Sequence, residues 1–328
     1  MNKNKFRWGI LGPGRIAKQF ARGIASIDNA EVYAVASRSN ERLDLFSSEF
    51  NVSRRYNSYS DLVIDPDIDA VYIATPHRFH FENTKLCLEA NKPVLCEKPF
   101  TVNAGECRQL IDMARQRNLF LMEGLWTRFL PIYKTVQNWI NNDEIGHIKL
   151  LNSTFGISPL KDPNDRKFNH ELAGGALLDL GIYQISLSQW LLDQNPSKIS
   201  AEAIIGDTNV DELIAANLVY HNGAVSQFNC NLLSQNENNF LIYGSKGYIK
   251  IHADYWKATN ATLLKNSKEF TESVPFRRTG FEYEAEEVMN CILQGELESK
   301  VMPLNQTLAN MEVMDRIREI VGLKYTFE

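Results

Sequence analysis

The run Phe6-Arg7-Trp8-Gly9-Ile10-Leu11 ends directly in Gly12-Pro13-Gly14-Arg15-Ile16-Ala17, and a helical period begins at once, with Ile16, Phe20 and Ile24 on one face. This constrains the fold severely. A strand must close in a turn tight enough to need glycine and pass straight into a helix whose first N–H groups have no partner within the helix. That is the strand–turn–helix unit of a parallel sheet, and its free amides and helix dipole suit a phosphate. The spacing fits G-x-G-x-x-A in the context a dinucleotide-binding loop requires, with a purely structural glycine turn as the alternative.

The same grammar recurs. Residues 31–37 (EVYAVAS) lead to the helical 40–50, residues 70–75 (AVYIAT) to 80–90, and residues 93–96 (PVLC) to 103–116, while 119–125 (LFLMEGL) supplies a last strand. Strand and helix alternating at short intervals demand right-handed crossovers, hence an α/β, doubly wound parallel sheet. After residue 124 the pattern changes. A helix over about 131–141 and a strand over 148–157 precede a helix beginning near Gly174. Long alternating runs follow at 198–205, 212–220, 223–233, 239–244 and 247–252, with helices at about 283–294 and 304–321. His221-Asn222-Gly223 reads as a hairpin turn. Runs of strands without intervening helices predict a mostly antiparallel sheet in an α+β domain. The expected division is a dinucleotide-binding domain over 1–124 and a substrate-binding and oligomerisation domain over 125–328.

A formal charge of −5, with no long lysine or arginine run, gives no footprint for nucleic acid. No apolar run is long enough to span a bilayer, so no membrane partner is expected, and the short basic start passes too quickly into a strand to be a signal peptide. A cytoplasmic protein is the expectation. Cys87, Cys96, Cys107, Cys230 and Cys291 are scattered and never spaced Cys-x-x-Cys, which fits buried, reduced thiols. His77 and His80 have no carboxylate or cysteine completing a zinc pattern, so no metal is expected.

Strand ends carry the chemistry in such a sheet. The strand at 31–37 ends in Ser37-Arg38-Ser39, with Arg42 one turn on, where a site for NAD usually offers an acid to the ribose 2′-hydroxyl. An arginine fork and a hydroxyl suit a 2′-phosphate, which favours NADP over NAD, against the alternative of a solvated loop arginine. Thr75-Pro76-His77 closes another strand and His80 stands at the following helix. Glu97-Lys98-Pro99 closes a further parallel strand, so it is expected to project into the ligand crevice rather than into bulk water. In the second half, Gly174 and Gly175 precede the apolar helical run 176–187, in which Asp179 and Tyr183 are four apart and therefore share an α-helical face. An acid and a phenol in a buried helix need partners, and an ordinary Asp–Tyr core hydrogen bond is the bland alternative to a catalytic role.

Four segments in this order, "GILGPGRIA", "ATPHRFH", "VLCEKPF" and "GGALLDLGIY", resemble the Gfo/Idh/MocA oxidoreductases across essentially the whole chain. The resemblance implies an N-terminal Rossmann domain and a C-terminal domain with a large open-faced sheet, with substrate held between them over a nicotinamide. It makes Lys98 and Tyr183 the catalytic pair, Asp179 their partner, His80 a cofactor-side residue, and Trp126 and Arg128 candidates for the substrate pocket wall. Many members carry histidine where this chain has Tyr183. Tyrosine there, with 122–131 and 280–292, is similar to the branch of dihydrodiol and NADP-dependent xylose dehydrogenases. The implied activity is NADP-dependent hydride transfer at a carbinol carbon of an aldose or trans-dihydrodiol. A silent sugar- or cofactor-sensing regulator on the same fold is the alternative. Because the strands of 200–255 keep fairly apolar side chains on both faces, a homodimer through that sheet is expected.

Overall fold

The computed structural model describes residues 5–328. Its first part runs β1 (Phe6–Leu11), α1 (Arg15–Ile24), β2 (Ala30–Ala36), α2 (Asn40–Phe50), β3 (Arg54–Tyr56), α3 (Tyr59–Val63), β4 (Ala70–Ile73), α4 (His80–Glu89), β5 (Val94–Glu97), α5 (Ala104–Arg117) and β6 (Leu121–Gly124). The strands are all parallel in the order β3-β2-β1-β4-β5-β6. The short β3 has no apolar run to announce it; its Arg-Arg-Tyr sequence pairs only at the sheet edge. Ser39, Ser58 and Asn103 accept the amide three residues on and so start α2, α3 and α5.

Strand order reverses between β1 and β4, where ligands bind in such sheets. Gly12 follows β1 there with φ +87°, and a Cβ on it would stand 3.0 Å from Thr75 Cγ2 and 3.1 Å from the Ala74 carbonyl oxygen. The tight approach of the two strand ends is thus what the glycine makes possible.

The second part contains α6 (Pro131–Asn141), β7 (Ile148–Gly156), α7 (Ile182–Leu192) and seven more strands. These are β8 (Pro196–Ile205), β9 (Asp211–Tyr220), β10 (Val225–Asn231), β11 (Phe240–Gly244), β12 (Gly247–Ile251), β13 (Asn260–Lys265) and β14 (Lys268–Ser273). They form a sheet ordered β14-β13-β12-β11-β7-β10-β9-β8, antiparallel except where β7 and β10 run together. Gly223, with φ +81°, closes the β9–β10 hairpin as Asn222-Gly223 leads one to expect. Helices α8 (Phe281–Gln294) and α9 (Leu304–Val321) close the chain.

One face of this sheet is core: Ile214, Ala216, Leu218 and Tyr220 are all buried. The other face is more polar than the alternation suggested. Ser200, Asn217, Gln227 and Asn152 align across β8, β9, β10 and β7, beside a rung of Val219, Val225, Leu150, Tyr243 and Tyr248. A shallow concavity of about 380 Å³ lies over the polar rung.

Contacts divide the chain into residues 1–126 with 277–307, and residues 127–276 with 308–328. In this division α8 groups with the nucleotide-fold unit. The reason is packing: a Cβ on Gly23 of α1 would stand 3.0 Å from the Glu282 amide, and Thr279 donates to the Gln19 carbonyl at 3.1 Å. All five cysteines are buried thiols.

Candidate active site

In the first unit the loop after β1 is built to receive a ligand. Gly14 has no atom within 4 Å of the position a Cβ would take, and α1 starts at Arg15-Ile16-Ala17 with no side-chain cap. Open space beside uncapped amides fits a pyrophosphate, so these residues suit a dinucleotide.

At the end of β2, Ser37 is buried and its hydroxyl accepts the Ser39 amide at 3.1 Å, which shapes the turn. Arg38 and Arg42 are exposed, with the Arg38 guanidinium 5.6 Å from the Phe79 ring centre. Tyr59, which sequence reasoning did not single out, lies beside them. Burial raises its phenol, while the Arg38 charge and hydrogen bond, and the Arg42 charge, lower it. Two arginines and a phenol at this strand end form a cationic patch fitted to a phosphate.

Thr75 and His77 are buried, and Pro76 leads into a 3-10 turn at 77–79. His80 is fully buried: Nδ1 lies 2.7 Å from the Pro99 carbonyl oxygen and Nε2 2.8 Å from that of Thr75. Carbonyl oxygens only accept, so a neutral ring satisfies one of these contacts and a protonated ring both. His80 thus ties the β4 end to the β5 end.

The three residues closing β5 part company. Lys98 is half-buried, and its peptide bond to Pro99 is cis. Glu97 does not project into the crevice as expected. It is buried, and its carboxylate accepts the Tyr72 hydroxyl. Tyr72 pairs with Leu95 across β4 and β5, so Glu97, two residues on, shares the face on which Tyr72 packs against Phe20 of α1. Glu284 of α8 is buried there too; its carboxyl is pushed well above the usual range by burial and by the Glu97 charge, which also raises the Tyr72 phenol after burial. Trp126, a candidate pocket residue, is buried and stacked on Phe281, with ring centres 4.5 Å apart.

In the second unit, Leu177–Gly181 forms a π-helical turn that runs on into α7. Asp179 lies in this turn and Tyr183 four residues on, in the first turn of α7. Both are buried. Asp179 pairs with Arg166, whose Nη2 lies 3.2 and 3.1 Å from the two carboxylate oxygens. The Arg166 guanidinium is held charged by Asp179 first and also feels Tyr183. Tyr183 packs at a tilt against Phe155, centre to centre 5.8 Å.

Arg166 escaped sequence reasoning because the segment 157–169 has no periodicity. Its length was the available signal, since long irregular loops inside compact domains tend to be functional. The glycine pair fixes it in place. A Cβ on Gly174 would stand 2.7 Å from the carbonyl oxygens of Arg166 and Lys167, and the Gly175 amide donates to Lys167 at 2.8 Å. Arg128 is buried against α7, with its Nη2 2.7 Å from Ser186 Oγ and its guanidinium 5.3 Å from the centre of Trp190.

A six-stranded Rossmann sheet with an open glycine loop, joined to a unit presenting a buried acid and phenol, defines a nucleotide-dependent oxidoreductase class. The family signature described as "Oxidoreductase family, NAD-binding Rossmann fold" matches residues 6–125, and "GFO/IDH/MocA C-terminal domain" matches residues 133–250. The chain belongs to the Gfo/Idh/MocA oxidoreductase family. It is 36% identical over 328 residues to a mouse protein named trans-1,2-dihydrobenzene-1,2-diol dehydrogenase, covering 97% of this chain and 98% of that one. Among solved structures it resembles an aldose-aldose oxidoreductase from Caulobacter crescentus complexed with glycerol (TM-score 0.89, 23% identity, 97% and 98% covered). It also resembles KijD10, a 3-ketoreductase from Actinomadura kijaniata in complex with NADP and TDP-benzene (TM-score 0.87, 25% identity, 97% and 98% covered). None of the described helices is long and apolar enough to cross a membrane.

Proposed function

We propose that this protein is an NADP-dependent dehydrogenase acting on a carbinol carbon of an aldose or a trans-dihydrodiol, with Lys98, Asp179 and Tyr183 as its catalytic residues. The observation that carries the reading is the buried Asp179, charge-paired with Arg166 in a π turn that leads straight to the buried Tyr183 phenol. The 36% identity to a dihydrodiol dehydrogenase and the likeness to sugar-acting enzymes support the substrate class. Arg38, Arg42 and Tyr59 support the 2′-phosphate, as does a relative bound to NADP.

The nicotinamide, when bound, supplies the hydride acceptor. Tyr183 takes the hydroxyl proton as base, and a phenol near pKa 10 needs a cation to serve at neutral pH. Arg166 supplies one such field within the second unit, and Lys98 is assigned the second, on the nicotinamide side. Asp179 keeps Arg166 in place. Trp126 and Arg128, both buried, are proposed as substrate-pocket residues. Turnover of a sugar and diol panel, followed as NADPH absorbance, tests the reading; no turnover with any member by folded protein contradicts it.

The open face of the second sheet supports a homodimer. A second copy meeting it across a two-fold axis covers the Val219, Val225, Leu150, Tyr243 and Tyr248 rung and pairs the Asn and Gln side chains beside it.

A further inference from the structure

We propose that Asp211 is a positioning residue for the segment bearing Asp179 and Tyr183, acting with Tyr325 on the Gly174-Gly175 turn; the proposal rests on the catalytic reading of Tyr183 above. Asp211 opens β9, is fully buried, and accepts the Leu177 amide at 2.6 Å. Leu177 is the first residue of the π turn, so the carboxyl sits at the amino end of the continuous helix that runs to Leu192. Negative charge is favoured there.

The second glycine exists for this contact. Gly175 has φ +123°, and a Cβ on it would stand 2.0 Å from Asp211 Oδ1. From the C-terminal segment, the Tyr325 hydroxyl donates to the Gly174 carbonyl at 2.6 Å. Tyr325 is itself fixed: Glu328 accepts its amide at 3.2 Å and both terminal nitrogens of Arg318 at 2.8 Å, and that guanidinium lies 5.2 Å from the Tyr325 ring centre. Tyr325 thus holds the Gly174 carbonyl, and the bare Gly175 leaves the room in which Asp211 reaches the Leu177 amide.

The groups facing Asp211 are Arg318 of α9, Tyr325 of the C-terminal segment and Cys230 of β10. Glu212, next along β9, pairs with Lys161 at 2.6 Å. Burial drives the Asp211 carboxyl up to about 7, against the pull of the Leu177, Asp211 and Ala176 amides and of Arg318. An ionised carboxylate accepts those amides more strongly than the neutral acid, so the hold on the turn tightens as pH rises through that range.

Asp211→Asn keeps the shape and removes the charge. It is expected to lower kcat about tenfold or more, as small misplacements at a reacting centre do, with the Kd for NADPH unchanged within about twofold. The rise of kcat through about pH 7 is expected to disappear, and amides of 176–183 to exchange hydrogen faster at pH 8. Tyr325→Phe is expected to move the same readouts in the same direction more weakly, and decides the matter if the Asn variant does not fold. Folded variants with wild-type kcat, pH profile and exchange overturn the proposal, and so does faster exchange with kcat unchanged. Normal turnover by Tyr183→Phe would instead overturn the catalytic reading, and the two failures are distinguishable because exchange needs no turnover.

Discussion

A single nitrogen of Arg166, Nη2, reaches both carboxylate oxygens of Asp179, at 3.2 and 3.1 Å. Asp179 is 4% exposed, so removing the guanidinium takes a charge partner from a buried carboxylate. Arg166→Met is expected to lower kcat by about 10–10²-fold while leaving NADPH affinity unchanged. Arg166→Lys is expected to recover part of the loss, because one nitrogen makes both contacts. Equal kcat values for the Met variant and wild type would remove Arg166 from the site.

Cofactor preference should follow charge at the end of β2. Arg38→Ala is expected to weaken the preference for NADP over NAD by roughly 1.5–3 kcal/mol, the scale of a charge-assisted contact. Tyr59→Phe should shift it in the same direction by less, since the phenol only buttresses the two arginines. Steady-state kinetics with both nucleotides measures this, and a wild-type protein that prefers NAD would contradict it.

Glu284 is buried, and neither carboxylate oxygen has a hydrogen-bond partner among the described residues. Its folded-state pKa lies above the unfolded value, so the folded chain binds the proton more tightly. Stability is therefore lost as pH rises above the usual carboxylate range. Glu284→Met removes that loss at little change of volume and is expected to stabilise by about 1–3 kcal/mol at pH 8, with a smaller gain at pH 5. Urea midpoints at the two pH values check both the sign and the trend.

Light scattering should return twice the 37.4 kDa chain mass. Val219→Glu, on the outer rung, is expected to yield monomer with its secondary structure intact. A wild-type chain that stays monomeric across working concentrations would rule out the face-to-face arrangement.

The parallel sheet was legible because β1, β2, β4 and β5 are short apolar runs, each tied to a helix of matching period, with β6 a further apolar run after α5. The polar three-residue β3 was not, since it pairs only at the edge. The segments bearing Gly12, Lys98, Asp179 and Tyr183 stand out as motifs, being local in sequence. What could not be read is what long-range packing decides. Glu97 turns inward because of Tyr72, α8 returns to α1 because of Gly23, and Arg166 and Asp211 reach the 177–179 turn from an aperiodic loop and from the residue just before the alternating run of β9.

The central claim is that Tyr183 moves the proton while the first unit holds the nucleotide. The most direct measurement is kcat and NADPH Kd for Tyr183→Phe beside wild type, on whichever sugar or diol wild type turns over best. The account predicts that kcat falls about 10²–10⁴-fold with NADPH Kd unchanged. A variant that binds NADPH and turns over at near the wild-type rate would contradict it, and would leave Tyr183 as a packing residue against Phe155.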